Sequence, residues 1–148
     1  RLKARGLRVR RVSGDGACLF RRVAFQLWGE EGRHAEVRRA TCDHVERHAA
    51  HFQLFVDGDL ADYVARKRRA HVWGDHVEII AIAELYDRPV EVWSTENPIA
   101  EPQRLVQCAQ LEAEYVQPIR LSYHGGNHYN SVVPFGEDAA DAEWQGSA

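Results

Sequence analysis

Hydrophobic residues recur at helical spacing through the first half of the chain. One run starts directly after the segment SGDGA and ends at Gly29, which predicts a first helix with Cys18 in its first turn. The same spacing predicts a second helix over about residues 35–51 and a third over about residues 59–69. The residues expected to face inward are Leu19, Phe20, Val23, Ala24 and Leu27 in the first helix, Val37, Thr41, Val45, His48 and Phe52 along the second, and Leu60, Tyr63 and Val64 in the third.

A fourth helix is marked more strongly than the others. Asp75 can cap its N-terminus, and Glu78 stands three residues later as the partner in a capping box. Its body, VEIIAIAELY, is apolar almost all round, so we expect it to lie deep in the domain. Pro89 prevents any continuation of this helix.

From Pro89 onward the hydrophobic pattern has a period of two. The segments PVEVW, PIRLSY and HYNSVV predict three strands, and HGGN predicts a tight hairpin connection between the last two. Residues 94–117 are polar and lack a firm period, which indicates a long variable loop. Helices followed by a mostly antiparallel sheet predict the α+β fold class.

Length and composition fit one domain. The chain has 148 residues, 45% of them hydrophobic, and no internal repeat. We expect a single domain over residues 1–135, monomeric, and an acidic, flexible tail over residues 136–148. The sequence begins at Arg1 and contains no methionine, so we interpret it as a piece excised from a longer product.

Charge and cysteine content narrow the function classes. The net charge of −3 gives no reason to expect a nucleic-acid partner, and no apolar run approaches membrane-spanning length. Three cysteines in unrelated contexts (Cys18, Cys42 and Cys108) argue against a secreted disulfide framework. They favour a reducing compartment, which we take to be the cytoplasm, the nucleus or both.

Metal binding is considered because His44, His48 and His51 recur at spacings of four and three. Zinc could use such spacing, but no cysteine or carboxylate pattern completes a site. We therefore expect no metal and no cofactor. Cys42 and Cys108 are expected to be inert.

Cys18 is the candidate nucleophile. The partial positive charge at a helix N-terminus favours a thiolate over a thiol. Gly16 and Ala17 leave the preceding backbone unobstructed, so its N–H groups could turn towards an oxyanion. Asp15 could brace this loop by accepting hydrogen bonds from nearby N–H groups. The alternative is a buried structural thiol.

The last predicted strand carries the candidate base. Residues two apart on a strand share a face, so His128 and Asn130 are expected to point the same way. The side-chain oxygen of Asn130 could then accept a hydrogen bond from one ring N–H of His128 and leave the other nitrogen for a partner. His124 is the alternative base, but it has no Asn or Asp two residues later.

Three blocks of sequence carry a resemblance that decides between these alternatives. The blocks DGACLFRRVAFQLWG, WGDHVEIIAIAELYDRPVEVW and PIRLSYHGGNHYNSVV occur in this order. Together they resemble the ovarian-tumour (OTU) family of cysteine proteases, most closely its DUBA-type branch, from about Gly6 to Val133. The resemblance implies a papain-type fold with a small sheet packed between helices. It also implies a deubiquitinase that hydrolyses the (iso)peptide bond after the C-terminal Gly-Gly of ubiquitin.

Matching positions imply the roles of individual residues. The family's D-G-x-C motif falls on residues 15–18 and makes Cys18 the nucleophile, with Asp15 shaping the oxyanion loop. The family's H-Y-N/D motif falls on residues 128–130 and makes His128 the general base and Asn130 its orienter. Trp73, Gly74 and Glu78 match the middle block, where they are expected to support the site and the core.

The Gly-Gly tail of the implied substrate requires a narrow channel. We expect its walls at Trp73, Tyr123, His124 and Asn127, and we expect the body of ubiquitin against residues 94–117. One residue departs from the family pattern, because Arg22 stands where close relatives usually have alanine. The predicted helix phase turns it towards solvent. Two other functions stay open: a catalytically inactive ubiquitin-binding module, and a protease for a ubiquitin-like modifier.

Overall fold

The helices lie mostly where the hydrophobic spacing predicts them. The computed structural model of the protein describes residues 5–10, 15–94, 103–105, 117–123 and 129–134. The helices in these residues are α1 (Cys18–Trp28), α2 (His34–Arg47), α3 (Ala49–Phe52), α4 (Leu60–Lys67) and α5 (His76–Leu85). Gly29 ends α1 in the left-handed conformation, with a φ of 73°, which glycine adopts without steric cost.

The second helix differs from its prediction because it is interrupted. The α2 helix ends at Arg47, and His48 leaves the helical conformation before α3 begins. His48 is also exposed, although the helical spacing placed it on the inward side. No glycine or proline marks the break in the sequence RHAAHF, so hydrophobic spacing alone could not reveal it.

The strands form one five-stranded sheet in the order β1-β5-β4-β2-β3. Their bounds are β1 (Leu7–Arg10), β2 (Val90–Ser94), β3 (Gln103–Leu105), β4 (Ile119–Tyr123) and β5 (Tyr129–Pro134). The β2 strand runs parallel to β4, and the other neighbouring pairs are antiparallel. The predicted α+β class with a mostly antiparallel sheet is confirmed. Tyr123 pairs with Tyr129, and the predicted hairpin connection, HGGN, lies outside the described residues.

Two strands were not predicted. The β3 strand lies within the segment expected to be loop, and its three residues are too few to show a period. The β1 strand lies in the basic opening stretch, where Leu7 packs with Trp93 and Val132. Both strands take their place in the sheet by pairing with a longer neighbour, which the local sequence cannot show.

The main core lies between α1, α5 and the sheet. It contains Leu19, Phe20 and Val23 from α1, Ile79 and Ile82 from α5, and Val90, Ile119 and Leu121 from the strands. The predicted burial of α5 is confirmed, since residues 77–83 of this helix are all buried. No helix in the described part of the chain is both long and apolar enough to cross a membrane.

The start of α5 departs from the predicted capping box. Asp75 is the N-cap residue, as predicted, and its side chain accepts a hydrogen bond from the His76 amide. Glu78 is buried instead of turning back to Asp75. It accepts a hydrogen bond from the Tyr63 hydroxyl and lies 3.2 Å from Nζ of Lys67. Two partners on α4 therefore hold the carboxylate that the sequence assigned to the cap.

Candidate active site

The loop before α1 is held by Asp15. Its Oδ1 accepts a hydrogen bond from the Ala17 amide at 3.1 Å, and its main-chain oxygen accepts one from the Cys18 amide at 3.0 Å. The carboxylate also forms an ion pair with Arg21 at 3.0 Å. Partial burial raises the pKa of Asp15, but the hydrogen bond and charge of Arg21 and the Ala17 amide outweigh it and lower the pKa overall. Asp15 is therefore an ionised brace across the turn that precedes Cys18.

Two amides of this loop already donate within the turn. The Ala17 amide points at the Asp15 carboxylate and the Cys18 amide at the Asp15 carbonyl, and the oxyanion role of Gly16 and Ala17 stays a prediction. Each amide satisfies an acceptor of the turn because a buried N–H needs a partner. Gly16 has a different role, since a Cβ built there would lie 1.7 Å from the main-chain oxygen of His71. Glycine is needed at this position of the loop because the backbone of His71 approaches it closely.

Cys18 is the first residue of α1 and has no exposed surface. Burial raises the pKa of its thiol overall, because a thiolate loses hydration there. Three contacts work in the opposite direction: hydrogen bonds from the backbone amides of Tyr129 and Leu19, and the charge of Arg22. The Tyr129 contact joins the start of α1 to the start of β5, which are the two elements expected to supply a nucleophile and a base.

The remaining predicted site residues divide into two groups. Trp73 and Tyr123 are partly buried and pack against the core cluster that contains Cys18, and the Tyr123 and Tyr129 rings are 5.3 Å apart. Asn130 lies in β5, opposite Ser122. His124, Asn127 and His128, and the side chain of Asn130, lie outside what the structure describes.

Arg22 is buried, and the prediction that it faces solvent is wrong. Its side chain has no exposed surface, and Nη1 lies 2.7 Å from Oε1 of Glu31, which is itself buried. The short turn that begins at Glu31 brings this carboxylate back to α1. The helix phase could not show this arrangement, because the arginine is buried by pairing with a residue nine positions later.

Sequence reasoning missed Arg38, a buried residue of α2. Its guanidinium donates to four main-chain oxygens, those of Gly16, Lys67, Ala70 and Val72, at 2.8–3.1 Å. A signal was present, since Arg38 is three residues before Thr41 and so falls on the inward side of the helix. The sequence does not reveal that its partners are backbone carbonyls.

Two histidines near the junction of α2 and α3 lie close to a carboxylate. Glu84 lies 3.8 Å from Nε2 of His44 and 3.5 Å from Nε2 of His51. Within the described ranges, however, no three His, Cys, Asp or Glu side chains are arranged to hold a metal ion. Cys42 is a free, buried thiol, and burial raises its pKa to about 11. Cys108 lies outside the described residues.

Comparisons with known proteins agree with this arrangement. The model of the family described as OTU-like cysteine protease matches residues 13–129. The ovarian tumor domain-containing deubiquitinating enzyme 6 of Arabidopsis thaliana is 41% identical over 130 residues, which are 88% of this chain and 25% of that protein. The chain spans about a quarter of the length of the curated relatives it matches.

Solved structures share the fold. The OTU domain of OTUD1 superposes with a TM-score of 0.77 at 22% identity, over 89% of each chain. An ovarian tumor domain in complex with ubiquitin superposes with a TM-score of 0.70 at 17% identity, over 94% of this chain and 81% of that one. The fold predicted from the three sequence blocks is confirmed by these superpositions.

Proposed function

This chain belongs to the family of OTU-like cysteine proteases, and from that premise we propose that it is a deubiquitinase. It hydrolyses the (iso)peptide bond after the C-terminal Gly-Gly of ubiquitin, with Cys18 as nucleophile and His128 as general base. The relative from Arabidopsis thaliana is named a deubiquitinating enzyme, and one structure with the same fold contains ubiquitin. These names supply the substrate class of the proposal.

One observation carries the proposal most directly. The Cys18 sulfur accepts a hydrogen bond from the backbone amide of Tyr129, the residue that follows His128 in the chain. Because Tyr129 directly follows His128, this contact supports the proposal that the base acts on the Cys18 sulfur. The nucleophile and the base need to be close, since proton transfer requires the donor and acceptor to be about 3 Å apart or bridged by one water.

The raised pKa of Cys18 explains why a base is needed. A buried thiol is mostly protonated at neutral pH, so the reaction starts when His128 takes the Sγ proton. The thiolate attacks the carbonyl carbon of the last ubiquitin glycine and forms a tetrahedral oxyanion. The oxyanion collapses to a thioester as His128 gives the proton to the departing lysine amine. Water, deprotonated by His128, then attacks the thioester and releases ubiquitin, and the proton returns to Sγ.

Other residues have supporting roles in the proposal. Asp15 holds the turn that presents Cys18, and Asn130 has the role that its position in the family motif implies, that of orienting the His128 ring. Opening the Ala17 amide to the oxyanion requires it to leave Oδ1 of Asp15. Trp73 and Tyr123, with His124 and Asn127, are the proposed walls of the channel for the Gly-Gly tail.

Reaction with a ubiquitin C-terminal electrophile tests the proposal. The wild type is expected to form a covalent adduct heavier by one ubiquitin and to release a fluorophore from the C-terminus of ubiquitin. Cys18→Ala is expected to lose both reactions and to keep ubiquitin binding. Cys42→Ala is the matched control, because it removes the other free buried thiol and is expected to keep both.

Other outcomes identify the alternative functions. A wild type that binds ubiquitin but leaves the electrophile unreacted is an inactive binding module, and the enzyme proposal is then rejected. Faster cleavage of a ubiquitin-like modifier than of ubiquitin assigns the second alternative. Membership of the DUBA-type branch stays a prediction.

We also propose that the protein acts in the cytoplasm, the nucleus or both. Two buried thiols, Cys18 and Cys42, form no disulfide among the described residues, and thiols persist best in a reducing compartment. Microscopy of a fluorescent fusion checks this, and accumulation in a secretory compartment would contradict it.

A further inference from the structure

Arg38 occupies an unusual position for a charged residue. It is 4% exposed, and each of its four hydrogen bonds among the described residues goes to a main-chain carbonyl. Nη2 donates to Gly16 at 3.1 Å and to Ala70 at 3.1 Å, and Nη1 donates to Lys67 and Val72 at 2.8 Å each. Burying a guanidinium is costly, so these bonds must be worth more together than its hydration.

The carbonyls come from two distant parts of the chain. Gly16 is two residues before Cys18, whereas residues 67–72 begin at the end of α4 and lead towards Trp73. The same two parts meet directly, since a Cβ at Gly16 would overlap the His71 carbonyl. The Arg38 guanidinium therefore lies where the loop before Cys18 packs against residues 67–72.

Arg38 also contacts the helix of the nucleophile. Its Cζ lies 4.3 Å from the centroid of the Phe20 ring, and Phe20 is two residues after Cys18. Arg38 thus touches α1 on the C-terminal side of Cys18 and the loop on its N-terminal side, while its four hydrogen bonds among the described residues all go to main-chain oxygens. This geometry restrains the position of Cys18 without direct participation in bond making.

We propose that Arg38 is a positioning residue for the reaction of Cys18: its guanidinium fixes the Gly16 carbonyl, and with it the loop that presents the nucleophile, to residues 67–72. This inference rests on the proposed hydrolase function. The guanidinium is suited to the role because five N–H groups diverge in one plane and keep their charge at any physiological pH. A lysine ammonium places three N–H groups on one atom, which cannot reach four carbonyls arranged around a plane.

Kinetics of Arg38→Lys and Arg38→Met test the proposal. We expect kcat for hydrolysis of a C-terminal ubiquitin fluorophore to fall about 10- to 100-fold, because an error near 1 Å in nucleophile position costs about that much. KM is expected to change less than about threefold, since Arg38 is buried behind the loop and does not face the substrate. The neighbouring Arg39→Met is the matched control, because Arg39 is exposed, and it is expected to keep both constants within about twofold.

A second control separates positioning from general stability. Val64→Ala truncates a buried side chain in a different core cluster, away from Cys18. At a temperature where it and Arg38→Lys are equally folded, it is expected to keep the wild-type kcat. Equal losses of kcat in these two variants would overturn the proposal. A kcat within twofold of wild type for folded Arg38→Lys and Arg38→Met, or failure of both variants to fold, would do the same.

A measurement that does not use ubiquitin distinguishes failure of the Arg38 proposal from failure of the proposed hydrolase function. The rate at which iodoacetamide alkylates Cys18 is measured against pH in the wild type and in Arg38→Lys. We expect a displaced pH profile in the variant, because a shift of the Gly16 loop moves Cys18 relative to the Tyr129 and Leu19 amides that donate to its sulfur. If the wild type fails to cleave ubiquitin while the profile still shifts, the hydrolase function is rejected and the positioning of Cys18 by Arg38 stands. An unchanged profile counts against Arg38.

Discussion

Arg22 and Glu31 form an ion pair inside the protein, 2.7 Å from Nη1 to Oε1, and Arg22 has no exposed surface. The pair joins α1 to the short turn before α2, one helical turn after Cys18. The Arg22 charge also acts on the Cys18 thiol, where it favours the thiolate. Arg22 is therefore built into both the core and the electrostatics of the site.

Breaking this pair from one side is expected to cost more stability than replacing both partners. Glu31→Gln removes the carboxylate charge that lies 2.7 Å from this buried guanidinium and is expected to lower the free energy of unfolding by about 3–5 kcal/mol. The double variant Arg22→Met, Glu31→Leu removes both charges with similar volume and is expected to lose less than the single variant. Urea denaturation at neutral pH measures both losses.

The control for this prediction is the adjacent exposed glutamate. Glu30→Gln is expected to change the free energy of unfolding by less than about 0.5 kcal/mol. A double variant that is less stable than Glu31→Gln would show that the pair itself contributes more than the burial of its charges costs.

Gly16→Ala is expected to impair both folding and catalysis. The added Cβ would lie 1.7 Å from a main-chain oxygen of His71, and a backbone atom cannot swing away as a side chain can. We expect a loss of about 1–3 kcal/mol in stability and at least a tenfold lower kcat as the Cys18 loop shifts. Gly32→Ala is the matched control, since no atom lies within 4 Å of its added Cβ. Equal activity of the two variants would contradict the close approach at Gly16.

Cys18 is expected to be alkylated before Cys42, although both thiols are almost completely buried. Burial raises the pKa of Cys42 to about 11, whereas at Cys18 the Tyr129 and Leu19 amides and the Arg22 charge offset more of the same effect. Peptide mass spectrometry after timed exposure to iodoacetamide at pH 8 gives the order. Labelling of Cys42 first would show that access, and not ionisation, controls the rates.

The raised pKa values of these two thiols determine in which direction folding stability changes with pH. Both pKa values are raised in the folded state, so both groups contribute stability that is fully present below the pKa of an unfolded cysteine, near 8.5. The contribution is lost as pH rises through the folded pKa values, up to about 11 for Cys42. Cys42→Ser, which removes the thiol, is expected to weaken the decline in stability between pH 8 and pH 10.

Most of the fold can be predicted from the sequence, because the buried residues of the longer helices and strands recur at the regular spacing of the element. The α1 and α5 helices and strands β2, β4 and β5 each carry enough apolar positions to show their spacing. The β1 and β3 strands do not, since three or four residues at an edge of the sheet depend on their partner. The break at His48 has no local signal either, because the chain there carries neither glycine nor proline.

The site is predicted less completely, because its supports are buried charges. Cys18, Asp15 and Gly16 could be named from one short segment, whose residues act close to one another in the chain. The partners of Arg22, Arg38 and Glu78 could not be named, because the helical period does not reveal which groups meet these side chains in the interior. A polar residue on an amphipathic helix is normally assigned to solvent, and these three are exceptions.

Lys67 is expected to carry most of the compensation for the buried Glu78 carboxylate. Burial raises the pKa of Glu78, while the Lys67 charge and the hydrogen bonds from Tyr63 and Lys67 oppose this. Lys67→Met leaves the carboxylate without its counter-charge and is expected to lower the free energy of unfolding at pH 7.5 by about 3–5 kcal/mol. Arg66→Met changes an exposed neighbour of the same helix and serves as the control, with little loss expected.

The pH dependence of Lys67→Met distinguishes an unpaired charge from lost packing. Without Lys67 the folded pKa of Glu78 lies still further above the unfolded value near 4.3, so the variant regains stability as pH falls and Glu78 takes up a proton. The deficit relative to wild type is therefore expected to be smaller at pH 5 than at pH 7.5, measured by urea denaturation at both values. A deficit that is equal at the two pH values would assign the loss to the Lys67 side chain's packing and to its hydrogen bond with the Trp73 carbonyl, at 2.8 Å, instead of to Glu78.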